Sequence, residues 1–263
     1  TRSLISGEFK TRVSIKNRDE LGKLSRDFNI LAKTLDKNSE SQKQWLADIS
    51  HELRTPIAIL KSELEAVEDG IREFDKETLQ SLTHEVKRIN NLVNDLYELT
   101  LADLGAMKYQ MREMNLGICL KEVIESYKDR FSSSSIELTQ IIEADSACLG
   151  DSYRLEQLFT NLIENTLRYT DPPGKLNIHL TEEKDQILIT FSDSAPGVDE
   201  NVLEKIFDRF FREELSRSRD KGGAGLGLAI CHEIVEAHSG SIIATSSDLG
   251  GLLIQISLPK GVS

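Results

Sequence analysis

FTNLIENTLRYT, at residues 159–170, has the polar and apolar spacing of a helix with one buried face. Asn161 and Asn165 are four residues apart, so their carboxamides lie on one side of this helix, opposite its leucines. Asparagine is a neutral oxygen donor that suits a Mg²⁺ ion already bound to phosphates, because a carboxylate would repel those phosphates. Arg168, about one turn further on, adds a phosphate partner. For two asparagines taken alone, an exposed polar helix face is the simpler interpretation.

Short β-branched runs alternate with helical stretches on both sides of this segment. The runs predict strands at residues 135–142, 175–182, 186–193, 241–247 and 252–259. The helical stretches predict helices at residues 117–131, 151–169, 199–207 and 226–238. Several strands follow one another as hairpins, so the sheet should be mixed and mainly antiparallel, with the helices covering one face. We therefore predict an α/β sandwich and not a doubly wound dinucleotide-binding domain.

Two further segments carry residues suited to a nucleotide. In DSAPG, residues 193–197, Asp193 ends a strand and Gly197 lies in a tight turn, so one carboxylate can accept from an exocyclic amine such as that of adenine. In GGAGLGLAI, the backbone can approach phosphate closely and the next helix offers its first N–H groups, because glycines stand at 222, 223, 225 and 227. Taken singly, the aspartate is a turn former and the loop a flexible linker. The loop matches neither a P-loop nor a dinucleotide fingerprint.

The segment between these two motifs is rich in charge. Residues 207–227 contain Arg209 and Arg212 and then further basic residues among serines and glycines. We interpret the segment as a mobile lid over a triphosphate, with an ordinary solvated loop as the alternative.

The first part of the chain has apolar residues at steps of three and four, the pattern of amphipathic helices. One such stretch covers residues 19–36, and after a polar stretch two seams with a coiled-coil rhythm follow, at residues 46–67 and 79–96. Between the seams, Gly70 is a candidate helix C-cap and Asp75 a candidate N-cap. A hairpin of two such helices leaves apolar surface that a second copy would cover. We predict a dimeric four-helix bundle.

SHELRTP, at residues 50–56, lies on the first of these seamed helices and carries a histidine on the side away from the seam. A lone exposed histidine usually has no role, but Glu52 can hold the Nδ1 proton of His51 and leave Nε2 nucleophilic. Pro56 lacks an N–H, so the helix should be weakened or bent beside this pair. Thr55 follows His51 by one turn, where its hydroxyl either positions a water molecule or bonds back to the His51 carbonyl.

The composition excludes several classes of protein. The net charge of −12 argues against a nucleic-acid binder, although residues 1–44 carry ten Lys and Arg against six Asp and Glu. No apolar run is long enough to span a bilayer, and residues 1–30 lack the apolar stretch of a signal peptide. The cysteines are widely spaced and odd in number, so we expect buried free thiols at Cys119, Cys148 and Cys231.

In this order, the motifs resemble those of the sensor histidine kinases of two-component signalling. The matching boxes are the H box at residues 50–56, the N box at 161–169, the G1 box at 193–197, the F box at 207–212 and the G2 box at 222–228. Gly250 and Gly251 resemble a last glycine turn, and residues 19–32 the end of a HAMP relay. One departure is Ala195, which replaces the first glycine of the usual G1 box; because Asp193 and Gly197 remain, we expect nucleotide binding to survive.

The resemblance implies an α+β fold in which a dimeric helical hairpin precedes an α/β-sandwich ATP-binding domain of the Bergerat or GHKL type. The domains it implies are the end of HAMP at 1–38, the dimerisation and phosphoacceptor domain at 39–108 and the catalytic domain at 109–263. It also implies autophosphorylation of His51 with help from Glu52, and a role for Thr55 in dephosphorylating the regulator. Asn165 and Asn161 would bind Mg²⁺. The implied ATP-binding residues are Asn161, Asn165, Arg168, Tyr169, Asp193, Gly197, Arg209, Gly223, Gly225, Leu226 and Gly227.

The implied partners are a second copy of the chain and a cognate response regulator, with no nucleic acid. The chain would be the cytoplasmic portion of an inner-membrane protein whose membrane segments lie upstream, with the basic surplus of residues 1–44 next to the lipid. The alternative is a GHKL-type ATPase or a dimeric scaffold without phosphotransfer. Such ATPases place a glutamate base four residues before the metal-binding asparagine, where this chain has Asn161.

Overall fold

The structure is a computed structural model that describes residues 2–14, 19–143, 146–212 and 223–261. The chain divides into two compact units, Thr1–Ile89 and Asn90–Ser263. The first contains α1 (Arg2–Ile5), α2 (Glu20–Glu68) and the first half of α3 (Lys76–Asp103), whose second half belongs to the second unit. None of the described helices combines the length and apolar composition that a membrane span requires.

Helix α2 is one continuous helix of 49 residues, and it begins where the Asp19 side chain accepts a hydrogen bond from the Gly22 amide. The polar stretch before residue 46 is helical as well, since it contains no glycine or proline to interrupt the helix. The helix also continues through Pro56, whose ring is buried. The proline removes only the backbone bond to the Glu52 carbonyl, and the turns on both sides remain helical.

The turn between α2 and α3 has the caps that the sequence predicts. Gly70 has a φ of +70°, a left-handed conformation that favours glycine, and its amide donates to the Val67 carbonyl. Asp75 precedes α3, and its Oδ1 accepts a 2.8 Å hydrogen bond from the Thr78 amide.

The second unit contains a five-stranded mixed sheet in the order β2–β4–β5–β7–β6. Its strands are β2 (Ile136–Ile142), β4 (Gly174–Glu182), β5 (Gln186–Ser194), β6 (Ser241–Ser246) and β7 (Gly250–Pro259). Strands β2 and β4 are parallel and the other neighbours antiparallel. A separate antiparallel pair joins β1 (Arg112–Asn115) to β3 (Ala147–Gly150). The predicted fold class, with its mixed sheet, is confirmed.

The helices of this unit are α4 (Leu116–Ser126), α5 (Lys128–Ser134), α6 (Ser152–Tyr169) and α7 (Gly227–Ala237). The Phe159 ring of α6 stacks on the Phe191 ring of β5 with 6.3 Å between centroids, so α6 lies directly on the sheet. Alternate residues of β4 and β5 are buried, as expected for strands with one face against helices. The three cysteines are buried and free, as predicted.

The structure corrects three details of the predicted elements. The predicted helix at residues 117–131 is two helices, because Tyr127 ends α4 and precedes α5 with a φ of −99° and a ψ of 0°. The predicted helix at residues 199–207 is a 3₁₀ helix at Glu200–Lys205. Strands β1 and β3 were not predicted, since four residues are too few for a period of two to be recognised.

Candidate active site

Helix α6 separates its apolar and polar residues as the sequence predicts. It begins at Asp151, whose Oδ1 accepts from the Arg154 amide at 3.3 Å. Its apolar face is buried and consists of Leu155, Leu158, Phe159, Leu162 and Ile163. Asn161 and Asn165 are half-buried and Arg168 is exposed, so the polar side chains emerge on the other side.

The start of α7 and Gly223, in the loop before it, lie against this polar face of α6. The Asn161 side-chain amide donates to the Gly227 carbonyl at 3.3 Å. A Cβ at position 223 would lie 3.3 Å from Arg168 Cζ and 3.6 Å from Tyr169 Oη, so the Arg168 guanidinium fills the space that a side chain would need. The structure therefore brings together five of the predicted nucleotide-binding residues from two parts of the chain.

The F-box segment packs on the same loop. Gly225 has a φ of +69°, and a Cβ there would lie 2.8 Å from the Phe211 carbonyl oxygen. The Phe210 amide donates to the Gly225 carbonyl at 2.9 Å, and Leu226 is buried beside it. Residues 213–222 of the predicted lid, including Gly222, lie outside the described residues.

Asp193 is buried near the end of β5 and is bound by two neighbouring elements. Its Oδ1 accepts a 2.7 Å hydrogen bond from the Leu252 amide of β7, and its Oδ2 accepts from Thr166 of α6 at 3.3 Å. Burial raises the pKa of Asp193 to about 6, although these hydrogen bonds and the Thr170 hydroxyl oppose the shift. The carboxylate is thus fixed beside the helix that carries Asn161 and Asn165.

Two glycines make room for this carboxylate and its turn. A Cβ at Gly251 would overlap Asp193 Oδ1 and lie 2.6 Å from the Asp193 carbonyl oxygen. A Cβ at Gly197 would lie 3.0 Å from the Gly250 carbonyl oxygen. The last glycine turn is therefore in direct contact with both ends of the DSAPG segment.

Arg209 is bound by carboxylates in this structure. Its guanidinium donates two 2.6 Å hydrogen bonds to Asp103 at the end of α3, and it lies 3.6 Å from Glu233 of α7. The hydrogen bond to Asp103 raises the pKa of Arg209, against the opposing effect of burial. The predicted contact of Arg209 with ATP stays a prediction.

The histidine motif lies on α2 in the first unit. His51 is exposed and Glu52 is half-buried. The Thr55 hydroxyl donates to the His51 carbonyl at 3.3 Å, which is the structural role that the sequence left open for this threonine. The predicted solvent-facing position of His51 is confirmed.

Sequence reasoning missed the threonines and the buried histidine that support this site. Thr166 of α6 bonds to Asp193, and the Thr170 hydroxyl lowers the pKa of this carboxylate; their spacing of four residues on and just beyond α6 was the available signal. His238, after α7, accepts a 2.9 Å hydrogen bond from the Asp151 amide at its Nε2, and its Nδ1 lies 2.7 Å from the Ile234 carbonyl oxygen. No local pattern indicates the contact with Asp151, because 87 residues separate the two.

The donor set of the site suits a magnesium ion that arrives with phosphates. Among the described residues, no group of three or more His, Cys, Asp or Glu side chains could hold a metal ion. The candidate ligands Asn161 and Asn165 offer neutral amide oxygens, which match a hard cation that keeps several water and phosphate ligands. Asn161 already uses its side-chain nitrogen on Gly227, an orientation that leaves its amide oxygen available to a cation.

Comparisons with known proteins agree with this arrangement. Residues 2–37 match the HAMP domain, residues 41–105 the His Kinase A (phospho-acceptor) domain, and residues 150–262 the histidine kinase-, DNA gyrase B- and HSP90-like ATPase. The chain belongs to the family of sensor histidine kinases.

Within that family, the chain is 48% identical to the signal transduction histidine-protein kinase BaeS of Escherichia coli over 259 residues. The match covers 98% of this chain and 56% of that relative, so the chain spans little more than half of its length. Of solved structures, the Acinetobacter baumannii histidine kinase AdeS matches with a TM-score of 0.69 and 25% identity, over 81% of this chain and 98% of that one.

A further structure, histidine kinase ThkA in complex with the response regulator TrrA, matches with a TM-score of 0.63 and 24% identity. The match covers 86% of this chain and 64% of that one and shows the fold alone.

Proposed function

We propose that this chain is the cytoplasmic part of a membrane-bound sensor kinase that phosphorylates His51 from Mg-ATP and passes the phosphoryl group to a response regulator. The observation that carries the proposal is the bond between Asp193 and Thr166. This bond joins Asp193, the candidate adenine acceptor, to the helix that carries Asn161 and Asn165. The residues proposed to bind the base and the metal ion are therefore held next to each other.

In the proposed complex, the free lone pairs of Asp193 accept the exocyclic amine of adenine. Asn165, with help from Asn161, binds Mg²⁺, which neutralises part of the charge on the phosphates. Arg168 and the backbone around the G2 loop bind the phosphates, together with the first N–H groups of α7. The remaining proposed nucleotide contacts are Tyr169, Gly197, Arg209, Gly223, Gly225, Leu226 and Gly227.

The proposed chemistry at His51 needs one free lone pair. Glu52 holds the Nδ1 proton, and Nε2 attacks the γ-phosphorus in line with the bond to the leaving oxygen. The P–N bond forms as the bond to that oxygen breaks, and ADP leaves with the electron pair. The exposed position of His51 supports this role, since an exposed imidazole can approach the γ-phosphorus of a nucleotide.

We propose domain boundaries at residues 1–38, 39–108 and 109–263. The helices of the first unit support a homodimer, because several apolar residues of the seams are exposed in the isolated chain: Leu46, Ile57, Leu64, Leu79 and Val86. A second copy would cover them in a four-helix bundle. The match to the HAMP domain and the basic surplus of residues 1–44 support a position next to the inner membrane.

We further propose that the chain dephosphorylates its regulator, with the Thr55 hydroxyl orienting the attacking water. In this structure the hydroxyl bonds to the His51 carbonyl, so the role requires the threonine to change rotamer. Thr55→Ala should retain labelling of His51 while the phosphorylated regulator persists longer. An unchanged lifetime of the regulator would leave only the structural role.

Incubation with γ-labelled ATP tests the main proposal. The expected label is labile to acid and stable to base, as a phosphohistidine is, and it should be lost in His51→Gln with nucleotide affinity nearly unchanged. Asn165→Ala should lose labelling together with Mg²⁺-dependent nucleotide binding. Release of free phosphate without labelled protein would support the GHKL-type ATPase, and equal labelling of His51→Gln would show that the nucleophile is another residue.

A further inference from the structure

A cluster of three side chains lies at the edge of the nucleotide-binding helix. Glu164 of α6 accepts two hydrogen bonds from the Arg130 guanidinium. Nη2 donates to Oε2 at 3.0 Å, and Nη1 donates to Oε1. The Tyr127 hydroxyl donates to Oε1 at 2.8 Å. The Arg130 guanidinium also lies over the Tyr127 ring, 5.0 Å from its centroid. The carboxylate is thus held by two donors that stand next to each other at the start of α5.

Glu164 immediately precedes the candidate metal ligand Asn165 and lies one turn before Arg168 on α6. The Arg130 guanidinium holds the Glu164 carboxylate from one side, and Arg168 follows four residues later on the same helix.

The spacing of Glu164 and Arg168 favours an ion pair within the helix, with the glutamate on the N-terminal side of the arginine. Such a pair would turn the Arg168 guanidinium away from a phosphate and bring a negative charge towards the triphosphate. A carboxylate close to a phosphate oxygen is repelled by it, and more strongly in a partly desolvated cleft than in water. A held and neutralised Glu164 avoids both effects.

We propose that Arg130, supported by Tyr127, is a positioning residue that keeps Glu164 away from Arg168 so that Arg168 stays available to the phosphates of ATP. The inference rests on the proposed function, because it assigns the phosphates to Arg168. It adds residues of α5 and of its N-terminal junction, outside every sequence motif of the site.

The first test is Arg130→Met in the whole chain, assayed by labelling of His51 at varied ATP concentration. The KM for ATP should rise roughly threefold to fivefold, the upper part of the range expected for loss of an exposed ion pair, while kcat changes less than twofold. Lys128→Met is the matched control, since Lys128 stands on the same helix and pairs at 2.9 Å with Glu125, and these two side chains are 69% and 70% exposed. Its KM should equal that of the unmodified chain.

The second test separates positioning from packing. If the freed carboxylate causes the defect, Glu164→Gln in the Arg130→Met background should restore the KM to within about twofold of the original. A purely structural role predicts that the double variant binds ATP no better than Arg130→Met. Either that result or an unchanged KM in Arg130→Met overturns the inference.

A third variant keeps the inference testable if Arg130→Met does not fold. If thermal unfolding shows that Arg130→Met is not native, Tyr127→Phe removes one donor to Glu164 at nearly constant volume, and a smaller rise in KM is expected, again reversed by Glu164→Gln. An unchanged KM in Tyr127→Phe would count against the inference. Failure of the proposed function itself is recognised separately, because the unmodified chain would then show no label on His51.

Discussion

The Leu252 amide and the Asp193 carboxylate are joined by a 2.7 Å hydrogen bond at a break in the β5–β7 ladder. Ser192 pairs with Leu253 and Ser194 with Gly250, so the register shifts between them and Asp193 lies at the irregularity. Asp193 continues the alternation of buried residues along β5, which also includes Phe191, so its carboxylate faces α6 and the candidate adenine site.

Gly251→Ala should destabilise the second unit and prevent nucleotide binding. The new Cβ would overlap Asp193 Oδ1 and crowd the backbone of residues 193 and 194, and a misfit of this kind costs roughly 1–3 kcal/mol. Calorimetry measures the stability, and a fluorescent ATP analogue measures the binding.

Gly227→Ala is the stability control for that variant, because a Cβ at position 227 would meet nothing closer than 3.9 Å. Its unfolding temperature should match or exceed that of the unmodified chain. Equal stability of Gly251→Ala and Gly227→Ala would contradict the close packing around Asp193.

Asp193→Asn should stabilise the nucleotide-free chain at pH 7 while it abolishes ATP binding. The folded pKa of about 6 lies above the ordinary value of 3.8, so the native state holds the proton more tightly and the aspartate lowers stability as pH rises through this window. At pH 7 the cost is at most about 3 kcal/mol, which the neutral amide avoids. The amide oxygen can still accept from Leu252, but its nitrogen cannot accept from the adenine amine.

The comparison is made by calorimetry at pH 4.5 and pH 7. The stability gain of Asp193→Asn should be several-fold larger at pH 7 than at pH 4.5, where most of the aspartate is protonated. A variant that is less stable than the unmodified chain at pH 7 would show that the ionised carboxylate contributes more through its hydrogen bonds than burial costs.

The sequence predicts the parts of the site that lie within one element. The polar face of α6 follows from the spacing of Asn161 and Asn165, and the glycines before α7 follow from their clustering. The fold class follows equally well, since each strand of the five-stranded sheet is long enough to show its own pattern.

The sequence does not predict contacts that depend on the path of the chain between elements. Arg209 and Asp103 are 106 residues apart, and the F-box motif gives no sign that a carboxylate of α3 binds its arginine. Arg130 bonds to Glu164 from 34 residues away for the same reason. Motifs indicate which side chains touch a ligand, whereas the residues that hold them in place become visible only when the elements are packed.

His238 should contribute a loss of stability to the second unit as pH decreases below about 6.5, opposite in sign to the contribution of Asp193. Burial lowers the pKa of this histidine, against the Ile234 carbonyl and the Asp151 charge, which raise it. The unfolded chain therefore takes up the proton first, so stability is lost between the ordinary value of about 6.5 and the folded pKa and is unaffected above it. A proton on Nε2 would also break the bond from the Asp151 amide.

His238→Gln should reduce this pH dependence by at most about 1.4 kcal/mol per pH unit, the slope that one proton supplies. Urea denaturation followed by circular dichroism from pH 5 to pH 7.5 measures it. The exposed His179 is the control, and His179→Gln should keep the slope of the unmodified chain. Identical slopes in the two variants would exclude His238 as a source of the acid sensitivity.

Arg154→Met should destabilise the second unit by roughly 1–3 kcal/mol, whereas Lys128→Met should change its stability by less than about 0.5 kcal/mol. Arg154 donates to Glu98 at 2.7 Å and to Gln157 at 2.9 Å, and Gln157 donates to Glu98 at 2.6 Å. The side chains of Arg154 and Glu98 are only 15% and 17% exposed, against 69% and 70% for Lys128 and Glu125. Removal of the arginine leaves a largely buried carboxylate without its cation.

The neighbourhood of Glu98 increases that cost, because Asp95 stands three residues earlier on α3. Burial and, to a smaller extent, the charge of Glu98 raise the pKa of Asp95 to about 6, so the two carboxyl groups already repel each other when both are ionised. Glu98→Gln in the Arg154→Met background should therefore recover part of the lost stability, since it removes the uncompensated charge and keeps an acceptor for Gln157. Calorimetry at pH 7 compares Arg154→Met, Lys128→Met and the double variant. A double variant less stable than Arg154→Met would show that packing of the arginine stem, and not charge, accounts for the loss.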